Sequence, residues 1–132
     1  MSHIVLKTWH HLLRERNAAA LPALLAEDAV FHSPVVHTPQ RGRAITAAYL
    51  AAALKVLGND KFRYVREIVG SHDAVLEFET EIDGIVLNGV DLIRWNDQNL
   101  ITDFKVMVRP LKAINLLHQL MAAQLQAGKP AS

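Results

Sequence analysis

The chain reads as an α+β protein, with helices placed before and after an antiparallel meander of long strands. Three observations carry that reading. Apolar residues recur at three- and four-residue spacing over 3–17, 43–57 and 110–126, the period of a helix with one buried face. Four stretches, 61–69, 73–83, 85–96 and 99–109, alternate as half-buried strands do. Turn signals separate them: Gly70-Ser71-His72, Gly84 and Asn96-Asp97-Gln98-Asn99. Helices must cover the apolar face of such a sheet, leaving either a packed core or a pocket beneath them.

Taken in order, helix 3–17 gathers Val5, Trp9, Leu12, Leu13 and Arg16 on one side. A short helix over 20–26 follows, with Pro22 in its first turn, where a missing N–H does least harm. Val30–Ser33 is a short strand, and Pro34–Gly42 a loop punctuated by Pro34, Pro39 and Gly42. Helix 43–57 carries Ile45, Tyr49, Ala52 and Val56 as its inner stripe and stops at Gly58-Asn59. In the second long strand Leu76, Phe78, Thr80 and Ile82 oppose Glu77, Glu79 and Glu81. In the fourth, Thr102, Phe104, Val106 and Val108 oppose Asp103, Lys105, Met107 and Arg109. Pro110 opens the last helix, 110–126, striped by Leu111, Ile114, Leu117, Met121 and Leu125, and Gly128-Lys129-Pro130 closes the chain as a frayed tail.

The length of 132 residues suits one domain spanning 1–132. Hydrophobic residues at 51% and charged ones at 20% describe a globular chain, and a net charge of +1 argues for neither nucleic acid nor a membrane surface as partner. The absence of cysteine excludes disulfides, thiolate catalysis and cysteine metal sites. Ile4-Val5-Leu6 is too short for a signal peptide, and no run reaches the roughly 18 apolar residues of a membrane span. A soluble cytoplasmic protein is the expectation.

One residue breaks the pattern. Asp91 lies on a strand face with Leu87, Gly89, Ile93 and Trp95. A carboxylate there must be neutralised, paired or used, because an isolated buried charge is very costly. Used, it is a general acid or hydrogen-bond donor, kept neutral because burial raises its pKa. Otherwise it is a structural acid tied to a backbone N–H or to Trp9.

The order helix, helix, short strand, helix, meander resembles the nuclear transport factor 2-like superfamily, which includes ketosteroid isomerases, SnoaL-type polyketide cyclases and limonene epoxide hydrolases. The matching stretches are Leu24-Leu25-Ala26-Glu27-Asp28-Ala29-Val30-Phe31-His32-Ser33-Pro34, Arg41-Gly42 at the start of the third helix, and Asp91-Leu92-Ile93-Arg94-Trp95 with Leu100-Ile101 after a turn. The resemblance implies a cone: a curved antiparallel sheet wrapped on N-terminal helices, enclosing an apolar pocket, usually in a homodimer. The extra C-terminal helix would lie over the cone mouth, on the outer sheet or against a partner subunit.

The family's chemistry transfers in part. In ketosteroid isomerases a base Asp precedes the Pro of the first strand, and Ser33 stands there. Their oxyanion-hole Tyr on the first helix corresponds to Trp9, and their protonated oxyanion-hole acid corresponds to Asp91. Ser33 is no base near neutral pH and an indole only donates, so conventional steroid isomerisation is not expected. Limonene epoxide hydrolases need an Arg where this chain has Gly89. SnoaL-type cyclases require mainly an acid in an apolar pocket.

The candidate ligand-binding residues are Trp9, Phe31, Ser33, Tyr49, Phe78, Ile93, Phe104 and Val108, with Asp91 as the candidate catalytic residue. Trp9 donates its indole N–H to Asp91 or to a ligand, or fills the core; Ser33 holds a water or ligand oxygen, or satisfies a strand end. Tyr49 offers a hydroxyl to the cavity or packs. Of the histidines, His10 and His11 diverge by about 100° on a helix, His32 faces away from Ser33, and His37 is either a base at the pocket mouth or a surface loop residue. None has metal-ligand spacing, and no cofactor is implied. On the outer face, Lys61 and Arg63 are expected to pair with the glutamates of the second strand; that face is either solvated or, as the resemblance implies, a homodimer interface with Val90, Leu92 and Met107 as its apolar centre. Two readings of function follow. One is a cofactor-independent isomerase or lyase acting on a small, largely apolar carbonyl or polyketide-like molecule; the other is a non-catalytic ligand-binding or dimerisation module.

Overall fold

The structure, a computed structural model, describes residues 3–127. In chain order it contains α1 (Ile4–Glu15), a 3-10 turn (Ala18–Ala20), α2 (Leu21–Leu24), β1 (Leu25–His32), β2 (Gln40–Arg41), α3 (Arg43–Leu57), β3 (Arg63–Val69), β4 (Asp73–Ile82), β5 (Ile85–Trp95), β6 (Ile101–Arg109) and α4 (Leu111–Ala127). The sequence-predicted tail at Gly128-Lys129-Pro130 lies outside the described residues.

The strands form one six-stranded sheet in the order β2-β1-β6-β5-β4-β3. Every neighbouring pair is antiparallel except β1 and β6, which run parallel. Bulges between Tyr64 and Arg66, and between Arg94 and Trp95, bend the strands and help curve the sheet around the helices. The architecture is the α+β cone with a C-terminal helix. Asp83 and Gly84 join β4 to β5, both with positive φ (52° and 78°), the backbone that a tight two-residue hairpin requires and that Gly tolerates best.

Four local expectations are corrected. The short helix, expected to reach residue 26, ends at Leu24, and Leu25 and Ala26 open β1 instead, because Leu25 stands opposite Ile101 of β6. On α3 the buried stripe is Thr46, Leu50, Ala52 and Leu57, while Ile45 is 38% exposed. Thr46 turns inward because its Oγ1 donates to the Ala29 carbonyl at 3.2 Å. On α4 Leu111 is 71% exposed and Ala113 takes the inner place. Arg16, expected on the apolar side of the first helix, is instead the left-handed C-cap of α1 and is exposed.

The cross-hairpin ion pairs form as the alternation predicts. Lys61 meets Glu81 at 2.7 Å, Arg63 meets Glu79 at 2.9 Å, and Arg66 adds Glu77 at 3.3 Å. All have exposed partners, so each contributes little to stability. The inner face is different: Phe31, Leu76, Phe78, Leu87, Ile93 and Phe104 are almost fully buried. Between that face and the helices the packing does not close.

Candidate functional site

The opening is a cavity of about 380 Å³ between the concave sheet face and α1, α3 and α4. Strand alternation delivers Phe78, Asp91 and Phe104 to it from β4, β5 and β6, and β1 adds Phe31. Helix α1 supplies Trp9, and α4 supplies Leu117 and Met121. The C-terminal helix therefore covers the cavity, packed beside α3, and does not lie on the outer sheet face.

Asp91 is 6% exposed, on the apolar face where the sequence places it. Its Oδ2 accepts a hydrogen bond of 2.6 Å from the Tyr64 hydroxyl, and the Tyr64 oxygen accepts the Trp9 indole N–H at 2.9 Å. Trp9, Tyr64 and Asp91 thus form a directional chain that ends on one carboxyl oxygen. Among the described residues no buried side-chain oxygen or nitrogen lacks a partner. Among the described residues Asp91 makes no other side-chain hydrogen bond, and it lines the cavity, which leaves Oδ1 free for a ligand.

Burial in these apolar surroundings raises the Asp91 pKa to about 7, against the opposing effect of the Tyr64 hydrogen bond, which favours the carboxylate. The Tyr64 phenol is pushed well above its ordinary range, first by burial and then by the neighbouring Asp91 charge. Near neutral pH the cavity therefore holds a carboxyl group that can donate or accept a proton, and a phenol that stays protonated. Replacing Tyr64 by Phe should strand the Trp9 N–H and cost about 2 kcal/mol of stability. It should also raise the Asp91 pKa further; denaturant unfolding and a pH titration of the variant check both. A titration identical to wild type would remove Tyr64 from the chain.

The sequence-predicted site residues divide. Trp9, Phe31, Ser33, Phe78, Asp91 and Phe104 line the cavity together. Tyr49, Ile93 and Val108 are not brought to it: Tyr49 packs on Phe31 with ring centroids 5.4 Å apart, and Ile93 is buried in the core. Val108 packs against the core from a partly buried position. Trp9 does not bond Asp91 directly, since Tyr64 stands between them. The Ser33 hydroxyl accepts the backbone N–H groups of Val35 and Val36 at 3.1 and 3.3 Å, turning the chain into the following loop.

Sequence reasoning missed Tyr64. Its signal was present in the alternation of β3, where Phe62 and Tyr64 share the inward face and the arginines at 63 and 66 point outward. It missed His10 as a cavity residue as well. His10 lines the cavity with its ring edge-on to Tyr64, and its Nε2 lies 2.6 Å from Glu67 Oε1, while His11 is exposed. His32 faces the other side of the sheet, against Asp103 at 3.0 Å. No helix among the described residues is long and apolar enough to cross a membrane.

The comparisons with known proteins bear on this geometry. The family model described as a SnoaL-like domain matches residues 6–104. No protein of curated function matches the chain. A steroid delta-isomerase from Pseudomonas aeruginosa superposes with a TM-score of 0.88 at 37% identity, over 93% of this chain and 90% of that one. An uncharacterised bacterial protein with a cystatin-like fold from Silicibacter pomeroyi DSS-3 superposes with a TM-score of 0.87 at 32% identity, over 96% and 88%. A hypothetical protein of ketosteroid isomerase-like fold from Catenulispora acidiphila DSM 44928, in complex with trimethylamine, has a TM-score of 0.64 at 16% identity, over 86% and 91%, a likeness of fold alone. On the family match and the two closer likenesses, the chain belongs to the SnoaL-like family of the nuclear transport factor 2-like superfamily.

Proposed function

We propose that the cavity binds a small, largely apolar molecule bearing a carbonyl oxygen, and that Asp91 assists an isomerase- or lyase-type reaction on it without a cofactor. The observation carrying this is the state of Asp91: it lines an apolar cavity with Oδ2 held by Tyr64 and Oδ1 without a partner among the described residues. A neutral carboxyl in that position donates to an oxygen that gains negative charge during reaction, and such preorganised donors act strongly where water is excluded. The 37% identity to a steroid delta-isomerase supports the reaction class. Ser33 limits it, because its hydroxyl is committed to the loop and takes up no proton near neutrality. The reaction is therefore one that Asp91 can assist alone, such as an acid-promoted cyclisation or elimination. Where substrate is bound and not turned over, the same geometry describes a ligand-binding module.

Thermal stabilisation by a panel of bicyclic and steroidal ketones, from about pH 5 to about pH 9, tests the proposal. Stabilisation should fall through the Asp91 pKa of about 7, and Asp91→Asn should remove that pH dependence. Equal, pH-independent binding by both proteins would reduce Asp91 to a structural role. Product analysis on the ketones that bind separates catalysis from binding alone.

We also propose that two copies pair through the outer face of β5 and β6. Met107 is 52% exposed there and stands opposite the partly buried Val90, with Val86 55% exposed nearby on β5. Exposed apolar groups of this kind on a sheet face mark an association surface. Met107→Glu should shift the sedimentation coefficient from that of a dimer to that of a monomer; a wild-type monomer would refute the pairing.

A further inference from the structure

The cavity has unlike ends, and the mouth carries charge that the inner acid does not explain. Trp9 and Arg14 both line the cavity from α1, five positions apart, which is about 8 Å along the helix axis. Beside Arg14 the lining adds Arg16 at the α1 C-terminus, Asp60 in the connection from α3 to β3, and Arg63, the first residue of β3. The lining thus contains three arginines and, apart from Asp91, a single carboxylate.

Nearly all of these charges are already matched. Arg16 meets Asp60 at 3.0 Å, Arg63 meets Glu79 at 2.9 Å, and Glu67 is taken by His10 at 2.6 Å. Among the described residues Arg14 has neither a carboxylate partner nor a side-chain hydrogen bond, and its exposed side chain stands at the cavity edge. Its place in the last turn of α1 also complements the negative end of the helix. That second role affects stability and is blind to what the cavity holds.

Building on the reading that the cavity binds an apolar molecule, we infer that the ligand is an apolar carboxylic acid, its carboxylate held at the mouth by Arg14 and its body laid against Phe78 and Phe104 toward Asp91. A guanidinium presents a planar fork that matches a carboxylate. One uncommitted cation balances a monoanion and leaves a phosphate dianion half neutralised.

The test uses the full chain and the neutral dye N-phenylnaphthylamine as reporter of an occupied cavity. Three competitors share one ring system: β-naphthylacetate, the neutral β-naphthylethanol and β-naphthyl phosphate. The acetate should displace the dye at a roughly fivefold lower concentration than the alcohol, the weight of one partly exposed charge pair. Added salt should shrink that ratio. Arg14→Gln should bring the ratio to unity without weakening the alcohol, and Arg14→Lys should keep most of it.

Acetate and alcohol competing equally in wild type would overturn the carboxylate inference while leaving the apolar cavity intact. A phosphate that competes better than the acetate would overturn the choice of anion. An unchanged ratio in Arg14→Gln would overturn the role of Arg14. A dye that does not bind at all would overturn both this inference and the cavity reading beneath it.

Discussion

Between about pH 4 and about pH 7 Asp91 should cost the protein about 4 kcal/mol of folding stability. The folded state holds the Asp91 proton up to about pH 7, whereas the ordinary value for the group is 3.8. Below the lower value both states are protonated and no difference exists. Above it the unfolded chain releases its proton first, so stability falls as pH rises and levels off once the folded protein has ionised too. This is opposite to the usual behaviour of an ion-paired carboxylate. Asp91→Asn keeps an acceptor for the Tyr64 hydroxyl and has no proton to lose. The wild-type minus Asp91→Asn stability difference, from denaturant unfolding across that range, should therefore descend with pH and turn negative near neutrality. Parallel curves would show that Asp91 is solvated in the folded state and would remove the physical basis for its role as a neutral donor.

Gly89→Ala should be the next most damaging single change, at about 3 kcal/mol. A Cβ at that position would lie 2.6 Å from Phe78 Cζ and 2.6 Å from the Met107 carbonyl oxygen. Phe78 is buried, stacks on Phe62 at 5.2 Å and forms part of the cavity wall, so it cannot swing aside without loss elsewhere. The Met107 carbonyl belongs to β6, paired with β5 beside it. Equilibrium unfolding of Gly89→Ala checks the cost, and Phe78→Leu in the same chain should recover part of it by vacating the ring's space. A neutral Gly89→Ala would mean that the sheet shifts easily here. The same contact explains why no long side chain stands at this position: the ring of Phe78 already occupies the space above it.

Much of this arrangement was legible beforehand because it repeats at short range. The period-two pattern of β4, β5 and β6 assigned Leu76, Phe78, Asp91 and Phe104 to the inner face and the glutamates of β4 to the outer one, and the structure agrees. The C-terminal half of β1 was also visible. Its start was not, because Leu25, which opens the strand, is fixed by standing opposite Ile101 of β6, a partner far along the chain. Tyr64 escaped for a related reason. The alternation puts Tyr64 on the inward face with Phe62, but it does not show that the phenol reaches Asp91, and the bulge after Tyr64 interrupts the pattern along the rest of β3.

The sequence by itself determined the fold class, the two faces of the sheet and the anomaly of an acid on the apolar one. Each is a property of local periodicity, which the chain carries in its residue spacing. Only the tertiary structure decided what Asp91 meets. Its partner Tyr64 is 27 positions away and Trp9 lies another 55 beyond, so their meeting depends on strand register, on the bulge in β3 and on how α1 settles across the sheet. Tertiary packing also laid α4 over the cavity and committed the Ser33 hydroxyl to its own loop. Burial follows from composition and period, but a hydrogen bond requires two particular atoms within about 3 Å, and that precision arises only when the whole chain has packed.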